Sequence, residues 1–280
     1  GIIASIGWGS ADFIHSRAAK RVDNYNLLFY SSIASLIVIT AYHVAEGGSS
    51  EVSNKGIRLA LLTTIPLSIA LLAFFRALQI GKISLIAPIG ASWAVVTLAI
   101  SILAFNESIT LIQLAGATMA FIGTIIASSK KSVFKLHVER EKGVLEILIA
   151  VLFWGIGFSL LKFLVIETGP SMSVILINVV LIAVVLAMTL VSSAKIKTMT
   201  AKDAILVSSG GILSVIATIA YVIAAPEGVA LLAPIAGTAP AATLLLAFVF
   251  LKEKLDFHQY AGIASILIGI TIIALYLRYS

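Results

Sequence analysis

Charged side chains within apolar stretches are the residues of this chain best suited to chemistry, and Asp12 and Lys162 are the clearest cases. A carboxylate near the centre of a bilayer costs roughly 3 kcal/mol on insertion scales, so its presence usually reflects a function. We expect Asp12 and Lys162 to face one polar cavity, where they pair with each other or bind the two ends of a zwitterionic substrate. The alternative is that Asp12 lies at the membrane interface and that Lys162 extends its ammonium group to water.

Tryptophan residues accompany both charges. Trp8 lies one helical turn before Asp12, and Trp154 lies two turns before Lys162. Many membrane tryptophans anchor a helix at the interface. Trp93 is far from the ends of its apolar stretch, so we expect its side chain to face a cavity.

Arg76 follows two phenylalanines near the end of another apolar stretch. An arginine there can hold a substrate carboxylate while aromatic rings form an apolar wall, although interfacial anchoring is the simpler explanation. The predicted substrate-binding residues are Trp8, Asp12, Phe75, Arg76, Trp93, Trp154, Lys162 and Tyr221.

The sequence lacks the residues expected for metal binding, for ATP-driven transport or for an intramembrane enzyme. The chain has no cysteine and its four histidines show no metal-ligand spacing, so we expect neither a metal nor a cofactor. The absence of a Walker-type phosphate loop argues against ATP-driven transport by this chain alone. One carboxylate without clustered nucleophiles argues against an intramembrane enzyme. Histidine titrates near neutral pH, so His15 or Asp12 can couple transport to protons; the alternative places His15 in an interfacial cluster with nearby basic residues.

The composition is that of an integral membrane protein. Of 280 residues, 60% are hydrophobic and 11% are charged, against about 25% charged residues in ordinary soluble domains. A helical span needs about 20 apolar residues. We predict an all-α polytopic membrane protein with ten transmembrane helices, at 2–19, 25–45, 57–79, 84–104, 110–129, 144–166, 171–193, 203–225, 229–250 and 257–277.

The sequence matches itself when it is shifted by 146 residues. The matching positions are Trp8-Gly9 with Trp154-Gly155, Leu85 with Leu231, Ala87-Pro88-Ile89 with Ala233-Pro234-Ile235, Glu107 with Glu253, Gly116 with Gly262, and Gly123 with Gly269. Five spans per copy is an odd number, so the second copy should be inverted relative to the first. We therefore predict a first five-helix repeat at 1–129, a basic linker at 130–142 and a second, inverted repeat at 143–280.

The net charge of +6, from 19 basic and 13 acidic residues, lies mainly in loops, where it indicates membrane orientation rather than nucleic-acid binding. Fifteen basic residues fall in odd-numbered loops, and three fall in the even-numbered loops and the C-terminus. This count predicts that the odd-numbered loops are cytoplasmic and that both termini are outside.

Proline occurs at the same place in both copies. Pro88 is followed by Gly90, and Pro234 by Gly237 and Pro240. Because proline removes a backbone donor and clashes with the preceding turn, each helix should bend or open there. These residues form either a hinge that faces the substrate or bends that only shape the bundle.

Glycines seven residues apart lie on one face of the last span in each copy, at Gly116 and Gly123 and at Gly262 and Gly269. Small residues allow membrane helices to approach closely. We expect these four glycines to pack spans five and ten together, or to form a dimer contact.

The segments "WGIGFSLLK" (154–162), "ALLAPIAGTAPAATLLLAFVFLKEKLDFHQYAGIASILIGITII" (230–273) and "SLIAPIGASWAVVTLAISILAFNESITLIQLAGATMAFIGTII" (84–126) resemble the EamA branch of the drug/metabolite transporter superfamily. The resemblance implies a ten-helix transporter or exporter of small metabolites such as amino acids. It also implies cytoplasmic termini, against the charge count. The first copy departs from the opening motif, because Ser16 stands where the second copy has Lys162.

The leading hypothesis is therefore a secondary transporter of the cell (inner or plasma) membrane that works by alternating access and exports an amino acid or a related small polar metabolite. The alternative within transport is a multidrug or lipophilic-cation exporter, and nucleotide-sugar transport is a weaker option. A receptor or scaffold would be expected to carry an appended domain. The expected partners are a small-molecule substrate and the lipid bilayer, without nucleic acid, in a monomer or homodimer.

Overall fold

The computed structural model describes residues 1–48, 51–81, 83–128, 142–192, 195–251 and 256–276. Within these ranges the chain forms α-helices joined by short turns, and no strand is assigned there. The prediction of an all-α, polytopic fold is therefore confirmed. The predicted basic linker, up to residue 141, and Glu253 lie outside the described residues.

The helices follow one another along the whole described chain. Their bounds are α1 Ile2–Ala18, α2 Asn24–Ala45, α3 Asn54–Ile80, α4 Ile83–Gly90, α5 Trp93–Phe105, α6 Leu111–Ser128, α7 Val144–Thr168, α8 Pro170–Ser192, α9 Ala201–Ala224, α10 Val229–Ala236, α11 Ala239–Leu251 and α12 Phe257–Tyr276. A short 3-10 turn at Ala225–Glu227 connects α9 to α10.

Nine helical segments of the described chain are long and apolar enough to cross a bilayer. Two of these segments each combine two helices, namely α4 with α5 and α10 with α11. Helix α1, with 17 residues, is about 25 Å long and slightly shorter than a hydrocarbon core of about 30 Å. Nine of the ten predicted spans thus correspond to these segments, and the first corresponds to the shorter α1, so ten crossings of the bilayer are still a prediction.

Four helices of the described chain begin at side-chain caps, including α6, where the Thr110 hydroxyl accepts a hydrogen bond from the backbone N–H of Gln113. Asp23 accepts a hydrogen bond from the backbone N–H of Asn26 at the start of α2, and Ser53 and Thr200 do the same at the starts of α3 and α9. Each cap satisfies a backbone donor that has no partner within the helix. The caps fix where the chain re-enters the bundle.

Two of the spans are interrupted at matching positions. Helix α4 ends two residues after Pro88, and α10 ends two residues after Pro234. Proline cannot donate the helical hydrogen bond, and the chain continues through a tightened turn in which Ser92 N–H donates to Ile89 O and Thr238 N–H donates to Ile235 O. Each break thus lies just after a proline, whereas Pro66 leaves α3 continuous, and the use of the breaks as hinges is still a prediction.

Helices α6 and α12 pack against each other through the four glycines. A Cβ atom on Gly116 would lie 2.8 Å from the Gly269 carbonyl oxygen, and one on Gly123 would lie 2.7 Å from the Gly262 carbonyl oxygen. Contacts this close exclude any larger residue. Since the first glycine of one helix meets the second glycine of the other, the two helices run antiparallel.

The remaining helices pack mainly across the two halves of the chain. Helix α1 lies against α9 and α11, while α7, its counterpart in the second half, lies against α3 and α5. Buried residues from both halves form one large apolar cluster. The space between the two halves is therefore enclosed by helices of both.

Candidate functional site

A cavity of about 180 Å³ lies between the two halves. Helices α1 to α5 line it from the first half, and α7, α8, α9 and α11 line it from the second. The cavity brings together the following residues that the sequence predicted for substrate binding or helix breaks: Trp8, Asp12, Phe75, Trp93, Trp154, Gly90 and Pro240.

Asp12 supplies the only carboxylate among the described residues that line the cavity, and no lysine or arginine joins it there. Helix α1 places Asp12 one turn beyond Trp8, so that both side chains reach the same space. No hydrogen bond or ion pair from another described residue reaches the Asp12 carboxylate. The cavity therefore contains an unbalanced negative charge whenever this carboxyl is ionised and His15, which also lines the cavity, is neutral.

Aromatic rings close one end of the cavity. Trp8 packs against Phe158 and Tyr221, with ring centroids 5.3 and 5.2 Å apart, and Trp93 lies 4.4 Å from Phe158. We call these four rings, of Trp8, Trp93, Phe158 and Tyr221, the aromatic cluster. Tyr221 is fully buried behind the others and does not line the cavity.

Phe158 was not among the residues predicted from the sequence. It lies one turn after Trp154 on α7, so a search for aromatic residues spaced four apart would have found it. Its ring contacts all three other members of the aromatic cluster. Its separation of 4.4 Å from Trp93 is the shortest in that cluster.

Hydroxyl groups of α2 form the polar wall, and these residues were also missed. Ser31, Ser32 and Ser35 line the cavity. The Ser31 hydroxyl lies 3.3 Å from His15 Nε2, and the Ser35 hydroxyl donates to the Gly211 carbonyl oxygen at 2.9 Å. Three serines on one face of an otherwise apolar helix were the available signal. They add neutral hydrogen-bonding groups beside Asp12 and His15.

Lys162 does not face Asp12, which corrects the expected pairing. Its Nζ lies 2.6 Å from Glu107 Oε1, and Glu107 Oε2 accepts a hydrogen bond from the backbone N–H of Ala230 at 2.8 Å. Both side chains of this ion pair are largely shielded from solvent, at 20% and 9% exposure. Lys162 therefore holds α7 to the end of α5 and the start of α10, and it does not line the cavity.

Asp12 and Lys162 do not meet because they lie at different depths in the bundle. Helix α7 runs antiparallel to α3, as shown by the contacts of Ser53 with Glu167 and of Phe74 with Trp154. Helices α1 and α3 run in the same direction, because two chain reversals separate them. Asp12 follows Trp8 along α1, and Lys162 follows Trp154 along α7. Because α1 and α7 run in opposite directions, the two charged residues lie toward opposite ends of the bundle.

Arg76 also lies outside the cavity, although its neighbour Phe75 lines it. The arginine is exposed, and its Nη1 lies 3.5 Å from Gln79 Oε1. Its side chain therefore points away from the cavity. The predicted contact with a substrate carboxylate has no support in this arrangement.

The helix-break residues divide between the cavity and the core. Gly90 and Pro240 line the cavity, and Pro88 is buried beside it in α4. Pro234 and Gly237 face a second, apolar cavity toward α5 and α6. The two breaks thus border the space between the halves without contributing charge.

The cavity extends toward one end of the bundle. We call side A the end at which α1 begins and α5 and α7 end, and side B the end at which α1 ends and α2 begins. Toward side B the lining includes His15, Leu28 and Leu78, each within four residues of a helix end. Toward side A it stops at Trp8, six residues into α1. The aromatic cluster and the Lys162–Glu107 pair lie between the cavity and side A.

Known proteins share both the sequence pattern and the fold. An uncharacterized protein of Methanocaldococcus jannaschii is 31% identical over 138 residues, which are 47% of this chain and 95% of that protein. A solved crystal structure superimposes with a TM-score of 0.78 at 16% identity, covering 99% of this chain and 96% of its own. The second likeness shows the fold alone.

A family model describes nearly the whole sequence. The model of the EamA-like transporter family matches residues 1–129 and, a second time, residues 141–275. The match includes the helices that enclose the cavity, the Lys162–Glu107 pair and the α6–α12 contact. The chain therefore belongs to the EamA-like transporter family and is a multi-pass membrane transporter.

Proposed function

We propose that this protein is a secondary transporter in which ten spans, arranged as two inverted five-helix repeats, give a small molecule alternating access to the two sides of the membrane. The observation that carries the proposal is the cavity between the halves, which extends toward side B and is closed toward side A. A cavity that reaches one side only is what one state of an alternating-access cycle requires.

Contacts between the halves support the inverted arrangement, because the same contact occurs twice, with the roles of the two repeats exchanged. The Thr243 hydroxyl donates to the Gly9 carbonyl oxygen at 2.9 Å, and the Thr97 hydroxyl donates to the Gly155 carbonyl oxygen at 3.3 Å. Thr97 and Gly9 are the repeat counterparts of Thr243 and Gly155. A two-fold axis lying in the membrane plane relates such pairs.

One contact supports the position of that axis. The Ser265 hydroxyl donates to the Met119 carbonyl oxygen at 2.9 Å, and these residues are 146 positions apart. Each is therefore the repeat counterpart of the other. Two counterparts in contact lie beside the axis, which would pass between α6 and α12.

The relative from Methanocaldococcus jannaschii supports the proposed boundaries of the repeats at 1–129 and 143–280, with a linker at 130–142. Because 138 matched residues make up 95% of it, that protein is about as long as one repeat with its linker. A five-span unit of this kind can bury its apolar faces against a second copy.

The substrate that the sequence predicted was an amino acid, on the ground that Asp12 and Lys162 would share one pocket. Lys162 is instead engaged by Glu107, so the cavity supports binding of an ammonium group better than binding of a carboxylate. Export, the cell membrane as the location, and proton coupling through Asp12 or His15 remain part of the proposal. A monomer or homodimer is compatible with them.

Cross-linking tests alternating access, and the absence of cysteine from the sequence makes the test specific. The rings of Phe105 and Phe163 lie 4.8 Å apart toward side A, so Phe105→Cys with Phe163→Cys should cross-link there. We expect the cross-link to stop substrate flux in proteoliposomes and a reductant to restore it. Undiminished flux in fully cross-linked protein would rule out opening at side A.

The contact between Ser265 and Met119, beside the proposed two-fold axis, provides the matched control. If the two repeats exchange conformations, residues beside the axis keep their mutual distance in both states. Met119→Cys with Ser265→Cys, joined by a short bifunctional thiol reagent, should therefore transport at the rate of the unlinked protein. Equal inhibition by both cross-links would contradict the proposed exchange.

A further inference from the structure

We propose that the cavity binds an organic cation, an amine or quaternary ammonium with an aromatic or apolar body and no carboxylate, and that Asp12 is its counter-ion. This inference rests on the proposed transport function, because it names the substrate class for the same cavity. It departs from the amino-acid substrate that the sequence pattern favoured.

The charge balance of the cavity is the first argument. Among the described residues that line it, Asp12 is the only aspartate, glutamate, lysine or arginine. The two basic residues predicted to lie nearby are elsewhere, since Arg76 is exposed and Lys162 is paired with Glu107. An ionised carboxylate in an apolar enclosure needs a compensating charge. A proton on Asp12, a protonated His15, which also lines the cavity, or a bound cation must supply it.

The walls of the cavity are the second argument. Six aromatic side chains line it, namely Trp8, Trp93, Trp154, Phe74, Phe75 and Phe158. The face of an aromatic ring attracts cations, most strongly for tryptophan, and a group of such rings is a recurring way to bind ammonium ligands. Trp8 lies one turn from Asp12 on the same helix, which places a ring beside the carboxylate.

A substrate carboxylate would lack a lysine or arginine partner in this cavity. The described lining offers it hydroxyl groups, the Asn178 amide and the His15 imidazole, but no ammonium or guanidinium group. The substrate carboxylate would also add a second negative charge to the space that holds Asp12. Burial of an anion without a cationic partner is unfavourable. An amino acid should therefore bind more weakly than the amine that has the same side chain.

Two ligands that differ by one carboxylate test the proposal on the unaltered protein. Phenethylamine and phenylalanine share the aromatic ring and the ammonium group, and only phenylalanine carries a carboxylate. We expect calorimetry on the purified full chain in detergent to show phenethylamine binding at least tenfold more tightly. Equal affinity, preference for phenylalanine, or absence of binding by phenethylamine would each overturn the proposal.

Paired aspartate variants then assign the counter-ion. Asp12→Asn keeps the shape of the side chain and removes its charge, and we expect it to weaken phenethylamine binding at least tenfold. Asp23→Asn is the matched control: Asp23 caps α2 away from the cavity, and asparagine is an equally good cap. Retained affinity in folded Asp12→Asn protein would overturn the assignment. If that variant does not fold, the ligand comparison above decides alone.

Flux measurements separate this inference from the proposed function. Phenethylamine that binds in an Asp12-dependent manner but never crosses a proteoliposome membrane would refute transport of the cation and leave the binding site intact. Flux of phenylalanine without flux of phenethylamine would refute the cation and leave the transporter intact. Asp12-dependent flux of phenethylamine would support both.

Discussion

Lys162 Nζ lies 2.6 Å from Glu107 Oε1, and this ion pair joins the second half of the chain to the first at side A. The repeat counterpart of Lys162 is Ser16, whose hydroxyl instead donates to the Phe13 carbonyl oxygen within its own helix. A serine cannot form an ion pair, so the two ends of the bundle differ chemically. Ser16 therefore gives side B no equivalent of the Lys162–Glu107 pair.

Removal of the ion pair should favour opening at side A. In Lys162→Met, Glu107 loses its partner in a largely shielded place, which should destabilise the closed state by roughly 1–3 kcal/mol, between the values for exposed and buried pairs. We expect spin labels on Ser108→Cys and Glu227→Cys, both exposed at side A, to lie further apart on average than when Lys162 is present. Electron paramagnetic resonance measures this distance.

Lys55→Met is the control for that measurement. Lys55 also pairs across the halves, with Glu167 at 2.7 Å, but its side chain is 74% exposed. Exposed pairs contribute little, so the distance between the labels should not change. If the labels in Lys162→Met were as close together as in the protein with the ion pair intact, the ion pair would not be what holds side A closed.

The glycine contact between α6 and α12 should tolerate no side chain. In Gly116→Ala the new Cβ would lie 2.8 Å from the Gly269 carbonyl oxygen, which is backbone and cannot rotate away. We expect the free energy of unfolding to fall by about 1–3 kcal/mol and the melting temperature to fall by several degrees in thermal unfolding. Ala115→Ser, on the exposed face of the same helix, should melt like the parent protein. An unchanged melting temperature in Gly116→Ala would mean that α6 and α12 are further apart than described.

The prolines at the helix breaks should matter for movement rather than for stability. Pro88→Ala and Pro234→Ala restore a backbone donor, so we expect unchanged or higher melting temperatures and a several-fold lower flux in proteoliposomes. Pro66→Ala is the matched control, because Pro66 lies within α3 without dividing it. Flux that is equal in all three variants would leave the breaks with a purely structural role.

Intrinsic fluorescence should report on the cavity directly. The chain has three tryptophans, Trp8, Trp93 and Trp154, and all three line the cavity. A bound amine that carries a nitrophenyl quencher, such as 4-nitrophenethylamine, should therefore quench most of the fluorescence in a saturable way. Trp93→Phe should lose part of the quenched signal. Quenching that never saturates would indicate nonspecific partition into the micelle.

Several features of this fold are readable from sequence because they depend on local chemistry. The length of the apolar stretches sets where spans occur, and the repeated prolines Pro88 and Pro234 mark where two of them break. The 146-residue repeat pointed to matching glycines, and the structure places them at one contact. Asp12, Trp8, Trp93 and Trp154, which the sequence singled out for substrate binding, line the cavity, and their contact with a substrate is still a prediction.

The partners of the side chains were decided only by the tertiary structure. Helical periodicity says which residues share a face, but not what that face meets, so the exposure of Arg76 and the ring contacts of Phe158 could not be read from the sequence. The partner of Lys162 could not be read either. Because α1 and α7 run antiparallel, the residues that follow their matching tryptophans lie toward opposite ends of the bundle. The sequence alone determined which groups enter the membrane, and packing between the halves left Asp12 without a lysine or arginine partner among the described residues.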